Sequence, residues 1–409
     1  MGTKNSVASP FHTVSDEIAA MTTLASRGLS VHPERCVRLR NRHASCRRCA
    51  DNCTSGAIRI EDGEWVLRPE LCVGCGTCAT MCPTCALEAQ YPNDAQIMLQ
   101  ARRAVHGGDL VLCCHTAIEE ARAAGALVRT DAVVEAKCLS RFEETELFCL
   151  FADGVKQVTA VHGDCGTCPR AAGARSAHMV QETVKGIMAV WGIEADYRLT
   201  DAFPTTVIGT VPGDDVKVVL EGAVDDDAAS LVSASSERLA HGEILSHDDE
   251  GDIRMGYRPT HVGKDGTLPH FVPSRRQKLL DALGSFGDPA GDVLDTRLWG
   301  HVVIDFDLCK SCKMCAVFCP TGAISKYHDE NGVVQGIEHY VAECVHCCLC
   351  QDICPAGAIR SVTQVPAMQL ASGETERYHM PDPVWHSGPD QILQRMRGMI
   401  GGNSIEHSY

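Results

Sequence analysis

Cysteine is the residue whose spacing carries the clearest chemistry in this sequence. Among the 24 cysteines of the 409-residue chain, three runs separate four cysteines by two, two and three residues, each with proline directly after it, and two of these runs follow one another near the C-terminus. The first of this pair comprises Cys309, Cys312, Cys315 and Cys319, and the second comprises Cys344, Cys347, Cys350 and Cys354. Three thiolates at this spacing can hold three corners of a cubane iron–sulfur cluster, while the fourth cysteine ligates the neighbouring cluster. The two runs therefore predict two adjacent [4Fe–4S] clusters.

Exchange of the fourth cysteine between the runs defines the predicted ligand sets. One cluster is expected on Cys309, Cys312, Cys315 and Cys354, and its neighbour on Cys344, Cys347, Cys350 and Cys319. A short strand is predicted after each run, at 321–324 and 356–359, which gives the segment a two-fold internal repeat. Structural zinc also suits paired cysteines, but two complete runs in tandem favour iron–sulfur clusters.

A second group of eight cysteines lies nearer the N-terminus, and half of it is irregular. Cys72, Cys75, Cys78 and Cys82 repeat the regular spacing, but nine residues separate Cys36 from Cys46 in the other half. The simplest interpretation is a loop insertion between the first and second ligands. It predicts one cluster on Cys36, Cys46, Cys49 and Cys82, and a second on Cys72, Cys75, Cys78 and Cys53. If Cys36 is not a ligand, the first of these clusters would hold three irons or be absent.

Both groups of cysteines resemble the bacterial dicluster ferredoxin family. The resemblance covers each group together with the short strands that follow its runs. It implies a ferredoxin-like fold and one-electron transfer at low potential. It also implies that the protein adjusts each cluster through burial and through hydrogen bonds to sulfur.

Six of the eight remaining cysteines lie between Cys113 and Cys168, in a segment with an α/β pattern. Strands are predicted at 109–113, 131–138 and 155–161, and helices at 116–125, 143–151 and 171–191. Strands that alternate with helices imply a parallel sheet, whose functional residues gather at the carboxyl ends of the strands. Four cysteines lie at such ends and could converge on one metal centre: Cys113, Cys114, Cys138 and Cys165.

This segment, from residue 107 to 192, resembles the delta-subunit domain of methyl-viologen-reducing hydrogenases in its stretches 137–143, 151–155 and 162–165. In that family a small α/β domain holds a [2Fe–2S] cluster between a hydrogenase and a flavin-containing partner. The resemblance implies a [2Fe–2S] cluster with ligands drawn from Cys113, Cys114, Cys138, Cys165 and Cys168. The adjacent pair at 113–114 departs from the family, in which two spaced cysteines are expected. A zinc site and a domain with inert buried cysteines are the alternatives.

Charge and hydropathy exclude several classes of partner. The formal net charge of −16 argues against nucleic acid, which requires a clustered positive face. Six arginines between positions 35 and 48 form a local basic run, which we interpret as a solvated face rather than a docking surface. No stretch approaches the roughly 20 apolar residues of a membrane helix, and residues 1–20 lack the apolar region of a secretory signal. Without such a signal we expect the protein in the cytoplasm. Disulfides are rare in this reducing compartment, where cysteine patterns more often bind metal.

The expected fold class is α+β, with two ferredoxin-like dicluster modules flanking a small α/β domain that contains a parallel sheet. The predicted divisions are an N-terminal arm at 1–31, the first module at 32–92, the α/β domain at 93–195, an acidic scaffold or linker at 196–297, the second module at 298–362 and a C-terminal tail at 363–409. The acidic segment also holds a basic helical stretch at 274–283. Cys85, Cys149 and Cys348 are expected to serve as packing residues.

The leading functional hypothesis is an iron–sulfur subunit that relays single electrons through four [4Fe–4S] clusters, joined by a [2Fe–2S] cluster if the α/β domain binds one. The sequence lacks a dinucleotide-binding glycine motif, a P-loop and a nucleophile elbow. We therefore expect no substrate chemistry on the chain itself. Its partners would be redox subunits of a hetero-oligomeric oxidoreductase such as a hydrogenase, a formate dehydrogenase or a flavoprotein disulfide reductase. The alternative is a stand-alone oxidoreductase whose atypical middle cluster binds substrate, and an iron–sulfur sensor is a third class.

Overall fold

The computed structural model describes residues 28–209, 246–247, 252–257 and 267–380. The predicted N-terminal arm up to residue 27, most of the acidic stretch and the tail from residue 381 lie outside the described residues. Within the described ranges the fold is mixed α/β. It combines short antiparallel strands at the two cysteine-rich modules with a four-stranded parallel sheet between them in the sequence.

The first module is built from very short elements around its cysteines. They are β1 (Leu29–Val31), α1 (Val37–Arg40), α2 (Arg48–Asp51), β2 (Ile58–Glu61), β3 (Glu64–Leu67), α3 (Thr77–Met81) and β4 (Leu87–Ala89). β1 pairs with β4, and β2 pairs with β3, in both cases antiparallel. The β2–β3 hairpin turns at Asp62 and Gly63, which both have positive φ, as a two-residue Asp-Gly turn of this kind requires.

The middle domain has the α/β order that the sequence predicts. Its elements are α4 (Asp94–Ala104), β5 (Asp109–Cys114), α5 (His115–Ala123), β6 (Leu127–Val128), β7 (Val133–Ala136), α6 (Glu144–Ala152), β8 (Gln157–Val161), α7 (Ala172–Trp191), β9 (Asp196–Thr200) and β10 (Ile208–Gly209). The parallel sheet has the order β7-β5-β8-β9, so the prediction of a parallel sheet is confirmed. Strand β9 and helix α4 were not predicted. β9 supplies the buried Tyr197 to the core.

Part of the predicted acidic linker belongs to the first module. Strand β11 (Ser246–His247) pairs with β12 (Ile253–Met255), and β12 extends the β2–β3 hairpin by pairing with β3. Ile253 and Met255 are fully buried and share a core with Trp65 and Leu67. The hairpin therefore depends on a strand almost 200 residues further along the chain.

The basic helical stretch is a helix, α8 (Ser274–Gly284), but its first two arginines are buried. Arg275 donates hydrogen bonds to the Glu143 carboxylate at 2.8 Å and to the backbone carbonyl of Cys82. The Arg276 guanidinium lies above the Trp299 ring. These charges therefore join the middle domain to both modules instead of facing solvent.

The second module repeats the plan of the first. Its elements are β13 (Val293–Asp295), β14 (His301–Ile304), α9 (Met314–Val317), β15 (Ile324–His328), β16 (Val334–Tyr340), α10 (Leu349–Asp352), β17 (Ile359–Val362), β18 (Gln364–Pro366), α11 (Ala367–Ser372) and β19 (Thr375–His379). β14 pairs with β17 as β1 pairs with β4, and β15 and β16 form a hairpin that β19 extends. The predicted strands at 321–324 and 356–359 begin later than expected, at Ile324 and Ile359.

The second module packs against the middle domain through a shared apolar core. Leu294, Trp299 and Val365 belong to the same buried cluster as the strands of the parallel sheet. Arg297 forms an ion pair with the buried Glu144 at 2.8 Å across this contact. Among the described residues, no helix has the length and apolar character needed to cross a membrane.

Replacement of Ile253 by alanine tests the role of β12. Because Ile253 is fully buried, the truncation is expected to cost about 2–5 kcal/mol of unfolding free energy and to lower the first thermal transition. Circular dichroism melting of the purified protein measures this shift. Tyr257→Ala is the control, since Tyr257 lies just beyond the strand and is 40% exposed. Equal shifts for the two variants would contradict a structural role for β12.

Candidate iron–sulfur sites

The cysteines of the two modules gather into four groups of four, which we call sites A, B, D and E. Site A comprises Cys36, Cys46, Cys49 and Cys82. Site B comprises Cys53, Cys72, Cys75 and Cys78. Site D comprises Cys309, Cys312, Cys315 and Cys354. Site E comprises Cys319, Cys344, Cys347 and Cys350. Each group takes three thiols from one run and the fourth from the other run of its module, which is the exchange that the spacing predicts.

The loops at sites B, D and E share one backbone conformation. The residues two and four positions after the first cysteine have positive φ in all three loops, as with Gly74 and Gly76 at site B. Ser311 and Lys313 at site D, and His346 and Cys348 at site E, adopt the same conformation without being glycine. Non-glycine residues rarely adopt it. Its recurrence indicates that the loops wrap around the same kind of central group.

Site A differs, because its loop carries the nine-residue insertion. Arg47, between Cys46 and Cys49, has a negative φ of −132°. The insertion forms helix α1, whose Val37 is buried together with Ala44 and with Leu349 of the second module. The inserted residues therefore also form a contact between the two modules.

The approach to Cys36 matches the approach to regular ligand positions. A single 3₁₀ turn precedes Cys36, Cys72 and Cys344, and each cysteine N–H donates to the carbonyl three residues earlier at 3.1 Å. Pro-Glu at the third and second positions before the cysteine marks this turn before Cys36 and before Cys72. That repeated sequence is a signal for the position of Cys36 that cysteine spacing alone misses.

Two segments of the chain match known families. Residues 44–86 match the 4Fe-4S dicluster domain, and residues 302–325 match the 4Fe-4S binding domain. No curated protein matches the chain. The chain carries two ferredoxin-type [4Fe–4S] domains. These domains support a role in iron–sulfur electron transfer, whereas neither match reaches the middle domain.

Burial makes the thiols of the ferredoxin-type domains poor acids in the absence of a cation. Desolvation and the neighbouring Cys82 thiol raise the pKa of Cys36 to about 12. Desolvation likewise raises the pKa of Cys315 and of Cys344 to about 12, with further contributions from Cys312 and Cys319 respectively. Four such thiols around one cavity would ionise together only around a positively charged group. The donor sets therefore fit an iron–sulfur cluster, which binds cysteine as thiolate.

Backbone amides point at the sulfur of the fourth cysteine of every run. The N–H of Ile58 donates to Cys53 Sγ at 3.4 Å, and that of Ala86 donates to Cys82 Sγ at 3.2 Å. In the second domain Ile324 and Ala358 donate in the same way to Cys319 and Cys354. Such bonds stabilise thiolate ligands and raise the reduction potential of a bound cluster.

A hydroxyl two residues further on distinguishes three of these cysteines from the fourth. Ser55, Thr84 and Thr321 place Oγ within 3.7–3.8 Å of their cysteine sulfur. The equivalent position after Cys354 is Ala356, which has no hydroxyl. The Cys354 sulfur therefore lacks the hydroxyl contact that the other three sulfurs have.

The middle domain brings Cys114, Cys138, Cys165 and Cys168 to one cavity of about 180 Å³, which we call site C. The N–H of Gly163 donates to Cys114 Sγ at 3.4 Å, and Thr116 Oγ1 lies 3.7 Å from Cys168 Sγ. Cys113 is fully buried, its sulfur is 3.8 Å from the Val134 carbonyl, and it does not line the cavity. Of the adjacent pair, only Cys114 faces this site.

The remaining predicted features lie elsewhere. Cys85 is buried, and Cys149 and Cys348 are half-buried, which agrees with packing roles. The basic run at 35–48 is not a uniformly solvated face. Arg40 is buried, and the Arg35 guanidinium lies 4.0 Å from the centre of the Phe271 ring. These arginines contact other parts of the chain, so their charge serves internal packing.

Removing the hydroxyl after Cys319 and adding one after Cys354 should shift the reduction potentials of the two sites in opposite directions. Thr321→Ala is expected to lower the potential at site E, and Ala356→Thr to raise it at site D. The shifts should be at most about 60 mV, because a hydrogen bond contributes about 0.5–1.5 kcal/mol and a tenfold change in a one-electron equilibrium is about 59 mV. Redox titration monitored by EPR measures both potentials. Shifts of the same sign in the two variants would contradict this explanation.

Proposed function

We propose that the chain is an electron-transfer subunit that holds four [4Fe–4S] clusters, one each at sites A, B, D and E. Bound clusters of this type supply one-electron redox chemistry at low potential. The protein supplies the thiolates, the amide donors and the dry surroundings that set those potentials. The single observation that carries the proposal is the grouping of sixteen cysteines into four sets of four, each with the exchanged fourth cysteine.

Site C would hold a fifth group, a [2Fe–2S] cluster, on Cys114, Cys138, Cys165 and Cys168. Its four thiols come from the carboxyl ends of parallel strands and from the loop before α7. The resemblance of this domain to a hydrogenase delta subunit suggests the setting. A reduced hydrogenase, formate dehydrogenase or flavoprotein subunit would lose an electron, and an acceptor subunit of the same complex would gain it. None of the 24 cysteines, all of which lie in the described residues, forms a disulfide, which suits a reducing compartment such as the cytoplasm.

One observation favours a second candidate function, substrate binding at site C. The cavity at site C has a volume of about 180 Å³, whereas the cavities at sites A, B and D are each about 30 Å³. Lys137 and Arg170 also line it, against one carboxylate, that of Asp164. A small anion could therefore bind beside the metal. A change in the EPR signal of site C on addition of such an anion would favour this alternative.

Metal analysis of anaerobically purified protein is the decisive experiment. Four cubane clusters require about 16 irons with equal acid-labile sulfide, and a [2Fe–2S] cluster raises the count to about 18. Either value, with interacting S = 1/2 signals after reduction by dithionite, is the expected result. A count near eight irons with zinc present would mean that one module is structural, and the proposal would fail.

The adjacent cysteines provide a matched test of site C. Cys114→Ala is expected to remove about two irons and the [2Fe–2S] signal, because its sulfur lines the cavity. Cys113→Ala should leave the iron content unchanged, although it truncates a fully buried side chain. Iron and sulfide analysis of both variants measures the difference. Loss of iron from Cys113→Ala but not from Cys114→Ala would mean that Cys113, and not Cys114, is the ligand.

A further inference from the structure

Two half-buried arginines connect the cysteine loops of different units. Arg48 lies between Cys46 and Cys49 of site A, and its Nη2 donates to the carbonyl oxygen of His346 at 2.7 Å. His346 in turn lies between Cys344 and Cys347 of site E. One hydrogen bond therefore joins the ligand loop of the first module to that of the second.

Further contacts around Arg48 show that the two loops pack directly against each other. The N–H and Oγ of Ser45 donate to the Asp352 carboxylate at 2.7 and 2.9 Å. Val37, Ala44 and Leu349 form a small buried core beside these bonds, with Cys46 and Cys347 packed against it. One apolar cluster thus contacts a cysteine of site A and a cysteine of site E.

Arg170 makes the equivalent bond at the other side of the first module. Its Nε donates to the carbonyl oxygen of Val73 at 3.3 Å, and Val73 lies between Cys72 and Cys75 of site B. Arg170 also lines the cavity of site C, two residues after Cys168. Ser140 supports this contact, because its Oγ donates to the Cys75 carbonyl at 3.1 Å and accepts from Thr77 Oγ1 at 2.7 Å.

Within each module the two sites are also neighbours. In the first module, Cys49 and Cys82 of site A and Cys72 and Cys78 of site B pack against one and the same apolar core. In the second module, Cys315 and Cys354 of site D share one core with Cys319 and Cys350 of site E. Every site therefore has a neighbour, and sites D and C lie at the two ends.

We propose that Arg48 and Arg170 are positioning residues that join the five cysteine sites into one line with the order D-E-A-B-C. The proposal rests on the proposed function, because it assigns an order to the clusters that these sites would hold. The first module then occupies the centre of the line. The middle domain, although it lies between the modules in the sequence, forms one end.

The charge of each arginine gives the order a measurable consequence. A positive charge close to two sites favours an added electron at both, and half-burial limits its screening by solvent. Loss of Arg48 should therefore lower the potentials at sites A and E together. Loss of Arg170 should lower those at sites B and C. Site D, the far end of the line, should be unaffected by either change.

EPR-monitored redox titration of Arg48→Ala and Arg170→Ala tests the proposal, and each variant is the other's control. Arg102→Ala is a third control, because Arg102 is exposed, forms an ion pair with Asp153 and lies in none of the cysteine loops. The expected result is a downward shift at two sites for each bridging arginine and no shift for Arg102→Ala. Arg48→Lys, which keeps the charge, should retain most of the wild-type potentials.

The iron content separates failure of this inference from failure of the proposed function. With about 16 or 18 irons present, a shift at only one module in Arg48→Ala would overturn the order. If Arg48→Ala loses iron, Ser45→Asp provides the second test, since its carboxylate would face Asp352 and part the two loops. The magnetic interaction between the reduced clusters at sites A and E, measured as a splitting of their EPR signals, should then be lost. The double exchange Ser45→Asp with Asp352→Ser should restore it. A splitting that persists in Ser45→Asp would overturn the proposal.

Discussion

The exchange of the fourth cysteine is the constraint on which the architecture of both modules depends. Each four-thiol cavity combines three cysteines of one run with one of the other, so neither half of a module can form its site alone. The surrounding cores are small, and most of their strands are only three to five residues long. Such cores provide little stability by themselves. The short strands and single helical turns serve mainly to hold the cysteine loops at fixed positions, and a bound metal centre would complete the core.

The contacts between units follow from the same loops. The insertion in the site A loop supplies the helix that meets the second module, and the Cys75 loop meets the residues after Cys138 in the middle domain. Arginine is suited to such junctions, because its planar group can donate to a carbonyl while its aliphatic stem packs against apolar neighbours. An overall acidic chain thus keeps several of its arginines inside.

The sequence predicts features that depend on local spacing and misses those that depend on long-range pairing. Cysteine spacing defines the sets of four, and alternating patterns predict three of the four parallel strands. Strand β12 could not be predicted, because three residues show no period and its partner is far away. Burial of Arg275 and Arg276 was missed because composition reveals charge but not the carboxylate or carbonyl that accepts it. The sequence could have predicted that only one of Cys113 and Cys114 faces the site, because adjacent residues of a strand face opposite sides of the sheet.

The dependence of the first module on β12 has a consequence for synthesis of the chain. Ile253 and Met255 are required to close the core around Trp65 and Leu67. The ribosome makes them only after all four strands of the parallel sheet have been completed. A nascent chain that has reached residue 200 therefore contains the whole parallel sheet but an open first module, although every cysteine of that module has already been translated. The parallel sheet is thus translated before the first module can close, although Leu279, Trp299 and Val365 join the core of the sheet only later. Iron delivery to the first module would encounter an incomplete site until translation passes residue 255.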